Sequence, residues 1–126
     1  MSVEGAGVTI RADLHNHSCL SPCGDLDMSP IRFAERAAAV GITVAALTDH
    51  NSARNCPAFA EACARTGVIP LFGTETPSME EVHVVSIFSS VPAALSWGEW
   101  VYERLPHVPN DPERLGDQVV VDVDEN

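Results

Sequence analysis

Residues 41–50, Gly-Ile-Thr-Val-Ala-Ala-Leu-Thr-Asp-His, decide the fold. Gly41 stops a helix, and residues 43–48 form a short apolar run of the kind expected for a strand buried on both faces. Thr48-Asp49-His50 then closes the run with polar groups. The layout returns further along: Ala34-Glu35 and Gly41 recur as Ala60-Glu61 and Gly67, 26 positions later in each case. The second glycine also precedes an apolar strand, at residues 68–72, which leads into Gly73-Thr74-Glu75. Two successive βα units thus deliver polar residues at the C-terminal ends of neighbouring parallel strands. Such ends are where α/β barrels and open α/β sheets build their sites.

The rest of the chain extends this α/β pattern. Residues 8–14 read as a first strand, with Asp13 on the face shared by Thr9 and Arg11. Ser29-Pro30 places an N-cap before a first-turn proline, and an alanine-rich helix runs to about Val40. A second helix is predicted over residues 57–65 and a fourth strand over 83–88. Residues 93–105 read as a helix, with Leu95, Trp97, Trp100, Val101 and Leu105 available for packing. Prolines 106, 109 and 112 break the segment 106–126, which is acidic and carries a possible last strand at 118–123.

Composition bounds the chemistry. The chain has 126 residues, 45% of them hydrophobic and 20% charged, which suits one globular domain over 1–126. No apolar run approaches the roughly 20 residues that span a bilayer, and the expectation is a cytoplasmic protein with no membrane partner. Net charge is −11, from 18 acids against 7 bases, and every base is arginine. The lack of lysine excludes a P-loop, a Schiff-base enzyme and a metal site bridged by a modified lysine. The acidic excess argues against long duplex nucleic acid, whose phosphates call for a basic patch. Cys19, Cys23, Cys56 and Cys63 are expected to be free thiols; their spacing is not a familiar thiolate-cluster pattern.

Four of the five histidines, His15, His17, His50 and His83, lie beside predicted strands, whereas His107 falls in the proline-rich loop. His15 and His17 are two apart, so on an extended backbone both imidazoles reach one side. Asp13 shares that parity and is placed to orient a ligating imidazole. Titratable groups ending apolar strands are poor core fillers, because burial without partners costs several kcal/mol. Histidine with carboxylate suits zinc, manganese or iron better than magnesium or calcium. Asp25, Asp27, Asp49 and Glu75 are the available carboxylates. Glu75 could bridge two ions, and such a cluster activates water and clamps the oxygens of a phosphoryl transfer. Bound cations would also make the site positive in an acidic protein.

Asp13-Leu14-His15-Asn16-His17-Ser18, Thr48-Asp49-His50-Asn51, Gly73-Thr74-Glu75 and Glu81-Val82-His83 resemble, in order, the first four motifs of the PHP (polymerase and histidinol phosphatase) family. Ser21-Pro22-Cys23-Gly24-Asp25 resembles a bacterial subgroup of PHP phosphoesterases. The resemblance implies a distorted seven-stranded β/α barrel with up to three divalent metals at its strand ends. Carried over by motif, His15 and His17 hold one metal, Glu75 bridges it to a second on His83, and His50 holds a third. The family's carboxylate five residues after the second histidine is Pro22 here, so Asp25 is the substitute and Asp27 the fallback. Asp49 is expected to orient His50, and Arg54 to contact substrate phosphate.

The family's later ligands, a histidine and an Asp-x-His pair, are not matched after His83. A complete barrel needs roughly 200 residues or more. The expected fold is therefore a partial distorted β/α barrel, about half of the seven-stranded form. It is either a fragment of a longer protein or a truncated barrel that completes its sheet by self-association. The leading function is a metal-dependent phosphoesterase acting on a small phosphomonoester or short oligonucleotide through metal-activated hydroxide. The alternatives are a non-catalytic, self-associating metal-binding module and a relative of the amidohydrolases that does without the modified lysine.

Overall fold

A computed structural model describes residues 7–126. Its elements in chain order are β1 (Ala12–Asp13), α1 (Pro30–Ala39), β2 (Val44–His50), α2 (Cys56–Thr66), β3 (Ile69–Pro77), β4 (His83–Phe88), α3 (Val91–Tyr102) and α4 (Pro112–Leu115). The strands form one sheet in the order β1-β2-β3-β4, a curled half of a β/α barrel. β1, β2 and β3 are parallel, while β4 runs antiparallel to β3. The sheet is therefore mixed. The five residues between β3 and β4 make a hairpin connection too short for a crossover.

The helix signals work as the sequence predicts. Ser29 caps α1, its hydroxyl accepting from the Arg32 amide at 3.4 Å, and Pro30 needs no partner for the donor it lacks. Gly67 ends α2 in the left-handed region, at φ 81°. Phe59 on α2 anchors the core, stacking on Phe33 of α1 at 5.4 Å between centroids and meeting Phe72 of β3 edge-on at 6.3 Å. Ala45 and Leu47 of β2 complete this helix-facing layer, both fully buried. Small residues opposite α1 and α2 let the helices lie close to the sheet.

Two predicted strands shrink or vanish. In the stretch 8–14 only Ala12 and Asp13 pair with β2, because among the described residues no neighbour covers the apolar side and Val8 and Ile10 stay exposed. Residues 118–123 form no strand. Instead the Val119 amide donates to the Cys19 carbonyl at 3.0 Å and the Val121 amide to Asn55 Oδ1 at 3.0 Å. Asn55 thereby ties the C-terminal segment to the start of α2. Among the described residues, no helix is long and apolar enough to cross a membrane.

Candidate metal centre

Strand register fixes which side chains meet. His50 is the partner of Glu75, so the last residue of β2 and a residue near the end of β3 stand side by side on one face. Asp49 pairs with Thr74 and points to the opposite, helix-covered face. Because β4 is antiparallel, its first residue, His83, pairs with Pro77 and lands at the same end of the sheet. A histidine that begins a strand thus joins residues at the ends of two others.

Asn16 bends the chain after β1. Its amide nitrogen donates to the Asp13 and Ala46 carbonyls at 3.3 and 3.1 Å, and Thr48 Oγ1 donates to its carbonyl at 3.1 Å. This pinning carries His15 and His17 over the ends of β2 and β3. Glu75, 4% exposed, lies at the centre of four imidazoles. Its Oε2 is 2.8 Å from His15 Nε2, 3.0 Å from His17 Nε2 and 3.5 Å from His50 Nε2, and its Oε1 is 2.6 Å from His83 Nδ1. The rings of His17 and His50 stack at 4.6 Å.

Burial alone would raise the Glu75 carboxyl, but hydrogen bonds with His15 and His83 and the nearby His50 outweigh it and hold it at about 2. His17 is pushed the other way. Burial first, and then the neighbouring His50, lower its pKa and favour the neutral ring that a cation needs.

The buried Asp49 carboxylate organises the loop beneath. It accepts from the Ser18 amide and hydroxyl, each at 2.6 Å, and from the Ser21 hydroxyl at 2.8 Å. Burial pushes the Asp49 carboxyl up, and these three bonds pull against that. Asp49 reaches His50 through Ser21. The Ser21 oxygen accepts from the His50 amide at 3.0 Å and lies 3.2 Å from His17 Nδ1. With its own proton given to Asp49, Ser21 can only accept from His17, which must therefore carry its proton on Nδ1. That leaves His17 Nε2 free to bind.

The candidate ligand atoms converge in three groups: His15, His17 and Glu75; His50, Glu75 and His83; and His17, Cys23 and His50. Within each, the atoms lie within 4.8 Å of one another. The donor set fits divalent zinc, manganese or iron, with Glu75 offering one oxygen to each of the first two groups. Asp25 is in none of the groups. Its Oδ1 accepts from the Asp27 amide at 3.1 Å, and Asp27 itself pairs with Arg32 at 2.8 Å. Asp13 makes no side-chain hydrogen bond to His15 or His17 among the described residues; its carbonyl accepts from Asn16. Arg54 has its Nε and Nη2 on the two oxygens of Glu99, at 3.0 and 3.2 Å, so its charge is already met.

Sequence reasoning missed Cys23, Ser21 and Asn16. The available signal for Cys23 was Gly24 after it, since a Cβ at Gly24 would lie 2.0 Å from the Ser18 carbonyl oxygen. The four cysteines are free, and Cys19, Cys56 and Cys63 are buried apart from the centre, so no four-thiolate site forms. Burial pushes the Cys56 and Cys63 thiols up to about 12.

Beside the centre lies a cavity of about 450 Å³ whose wall includes His50, Asn51, Arg54, His107 and Gln118. The Asn51 Oδ1 is buried and has no hydrogen-bond partner among the described residues.

The family model for the PHP domain matches residues 13–103. A Bifidobacterium adolescentis protein named as a proposed metal-dependent phosphoesterase is similar in structure, with TM-score 0.52 and 26% identity over 64% of this chain and 27% of that one. An amidohydrolase from Chromobacterium violaceum, solved with bound sulfate and no metal, has TM-score 0.58 and 33% identity over 74% of this chain and 34% of that one. This chain thus spans about a third or less of each of these two structures. No curated protein matches it.

Proposed function

The chain belongs to the PHP domain family, and from that premise we propose that it forms the metal-binding part of a phosphoesterase site. The substrate class is a small phosphomonoester or a short oligonucleotide. The observation that carries this reading is one buried carboxylate, Glu75, surrounded by four imidazoles at 2.6–3.5 Å. A structural ion pair needs one histidine there, and four are wasteful unless cations replace their protons. Sulfate on the C. violaceum neighbour supports a phosphorylated substrate, since sulfate has the shape and charge of a phosphate group.

Divalent cations held here supply Lewis acidity toward a water molecule and toward phosphoryl oxygens. The chain's own residues prepare that chemistry. Glu75 directs one oxygen toward His15 and His17 and the other toward His83. Ser21 and Asp49 hold His17 in the binding tautomer. His50 stands both in the cluster and in the cavity wall, so a substrate in the cavity lies against the centre. The polar lining from Asn51, His107 and Gln118 suits the hydroxyl-bearing part of a sugar or nucleoside phosphate.

A second reading rests on length and on the sheet edge. The described residues supply six candidate ligands, and β4 with the residue before it leaves Val82, Val84, Val85 and Ile87 exposed. On that reading the chain binds metal and self-associates along β4 without completing the site. Metal content, light scattering and turnover of p-nitrophenyl phosphate and short oligonucleotides separate the two. The phosphoesterase reading expects manganese- or zinc-loaded protein to exceed a His15→Ala control by at least about 100-fold. Turnover equal to that control overturns it, and a single weakly held metal supports the module.

A further inference from the structure

We propose that Cys23 supplies a thiolate, together with the imidazoles of His17 and His50, to one cation of the centre. The inference rests on the metal-binding reading above and goes beyond it by replacing the expected carboxylate with sulfur.

The loop explains the replacement. The Ser21 amide donates to the Ser18 carbonyl at 3.1 Å, and the Gly24 amide donates to the Ser21 carbonyl at 2.9 Å. These two turns fold the loop back on itself, and the absence of a Cβ at Gly24 lets it rest on the Ser18 carbonyl. The residue before that glycine is carried to His17 and His50, and the residue after it is carried away. Cys23 is the one and Asp25 the other. The Cys23 sulfur and the two imidazoles lie within 4.8 Å of one another, close enough for one ion to bind all three. Cys19, Cys56 and Cys63 are buried, whereas Cys23 is exposed and open to an arriving cation.

Two imidazoles and one thiolate favour zinc over manganese or magnesium, and they leave a fourth position for water or substrate. On binding, the Cys23 S–H bond breaks, its proton passes to solvent, and the sulfur electron pair forms the bond to the metal. Nothing is oxidised or reduced. His17 and His50 also belong to the two groups built on Glu75, so a cation at the thiolate position takes imidazole nitrogens that those groups would otherwise use.

Cobalt(II) titration of the whole chain, followed by absorption, tests the assignment. Wild type is expected to show a near-ultraviolet sulfur-to-cobalt charge-transfer band. Cys23→Ser should lose that band while keeping the visible cobalt bands of the imidazole and carboxylate positions. His15→Ala should keep the sulfur band. Zinc affinity of one site should fall by at least about 10-fold in Cys23→Ser. Iodoacetamide labelling gives an independent readout: Cys23 reacts first, and zinc slows it in wild type but not in His50→Ala. Cobalt binding with no sulfur band, or a band that survives Cys23→Ser, overturns the thiolate assignment and leaves the metal-binding reading standing. Wild type that binds no cobalt or zinc at all overturns both.

Discussion

Asp49 Oδ1 accepts a hydrogen bond from the Ser21 hydroxyl at 2.8 Å, and this bond sets the tautomer of His17 at the other side of the serine. A buried carboxylate on the helix face thereby governs an imidazole on the opposite face, through one hydroxyl. The chain reaches the same end by economy of position: consecutive residues on β2 face opposite ways, so Asp49 builds the support and His50 joins the cluster.

Removing the serine should therefore loosen the centre without unfolding the protein. Ser21→Ala is expected to weaken zinc binding by about 10–100-fold, as losses of such supporting partners commonly do. Nitrogen NMR of the metal-free protein checks the cause. His17 should shift from the Nδ1-protonated form toward a tautomer mixture, which a purely structural role would not produce. Asp49→Ala leaves three donors from Ser18 and Ser21 unmet and should cost at least about 3 kcal/mol in urea unfolding.

Gly73 is required for a different reason. A Cβ there would meet the Ser86 carbonyl oxygen at 1.9 Å and its carbon at 2.9 Å, both on the β4 backbone. Gly73→Ala must push β4 off β3 and separate His83 from Glu75. We expect a loss of about 3 kcal/mol or more, with hydrogen exchange accelerated first at β4 amides. Gly67→Ala is the contrast: its φ is 81° but nothing lies within 4 Å, so the loss should stay near 1–2 kcal/mol. Equal losses for the two glycines would refute the steric account.

These cases mark what could be read from sequence. Ser29-Pro30 and Gly67 were legible because a cap and a left-handed stop are local demands on one residue type. The convergence of His50 and Glu75 was legible because two βα units of equal length put their strand ends in register. The direction of β4 was not, since a strand's own residues do not encode which way its neighbour runs. Cys23 and Asp25 are two positions apart, and only the close approach of Gly24 to Ser18 decides which faces the histidines. Val8 and Ile10 alternate like strand residues, yet no neighbour covers them. Their pattern describes a surface that the described residues leave unpaired.

Acid should reveal how Glu75 is held. Its carboxyl lies at about 2 in the metal-free fold against an ordinary 4.5, because hydrogen bonds with His15 and His83 and the nearby His50 outweigh the cost of burial. A carboxyl held low adds stability that is complete above its unfolded value and fades as pH falls toward the folded one. The window is therefore about pH 4.5 down to about pH 2. Glu75→Gln lacks this contribution at every pH. Urea midpoints of the two metal-free proteins should differ most at pH 5–6, and the gap should shrink steadily as pH falls through 4 to 3. A gap that holds constant from pH 6 to pH 3 would mean that Glu75 is not poised among the four rings as a charged group, and its role as a bridge would lose its electrostatic basis.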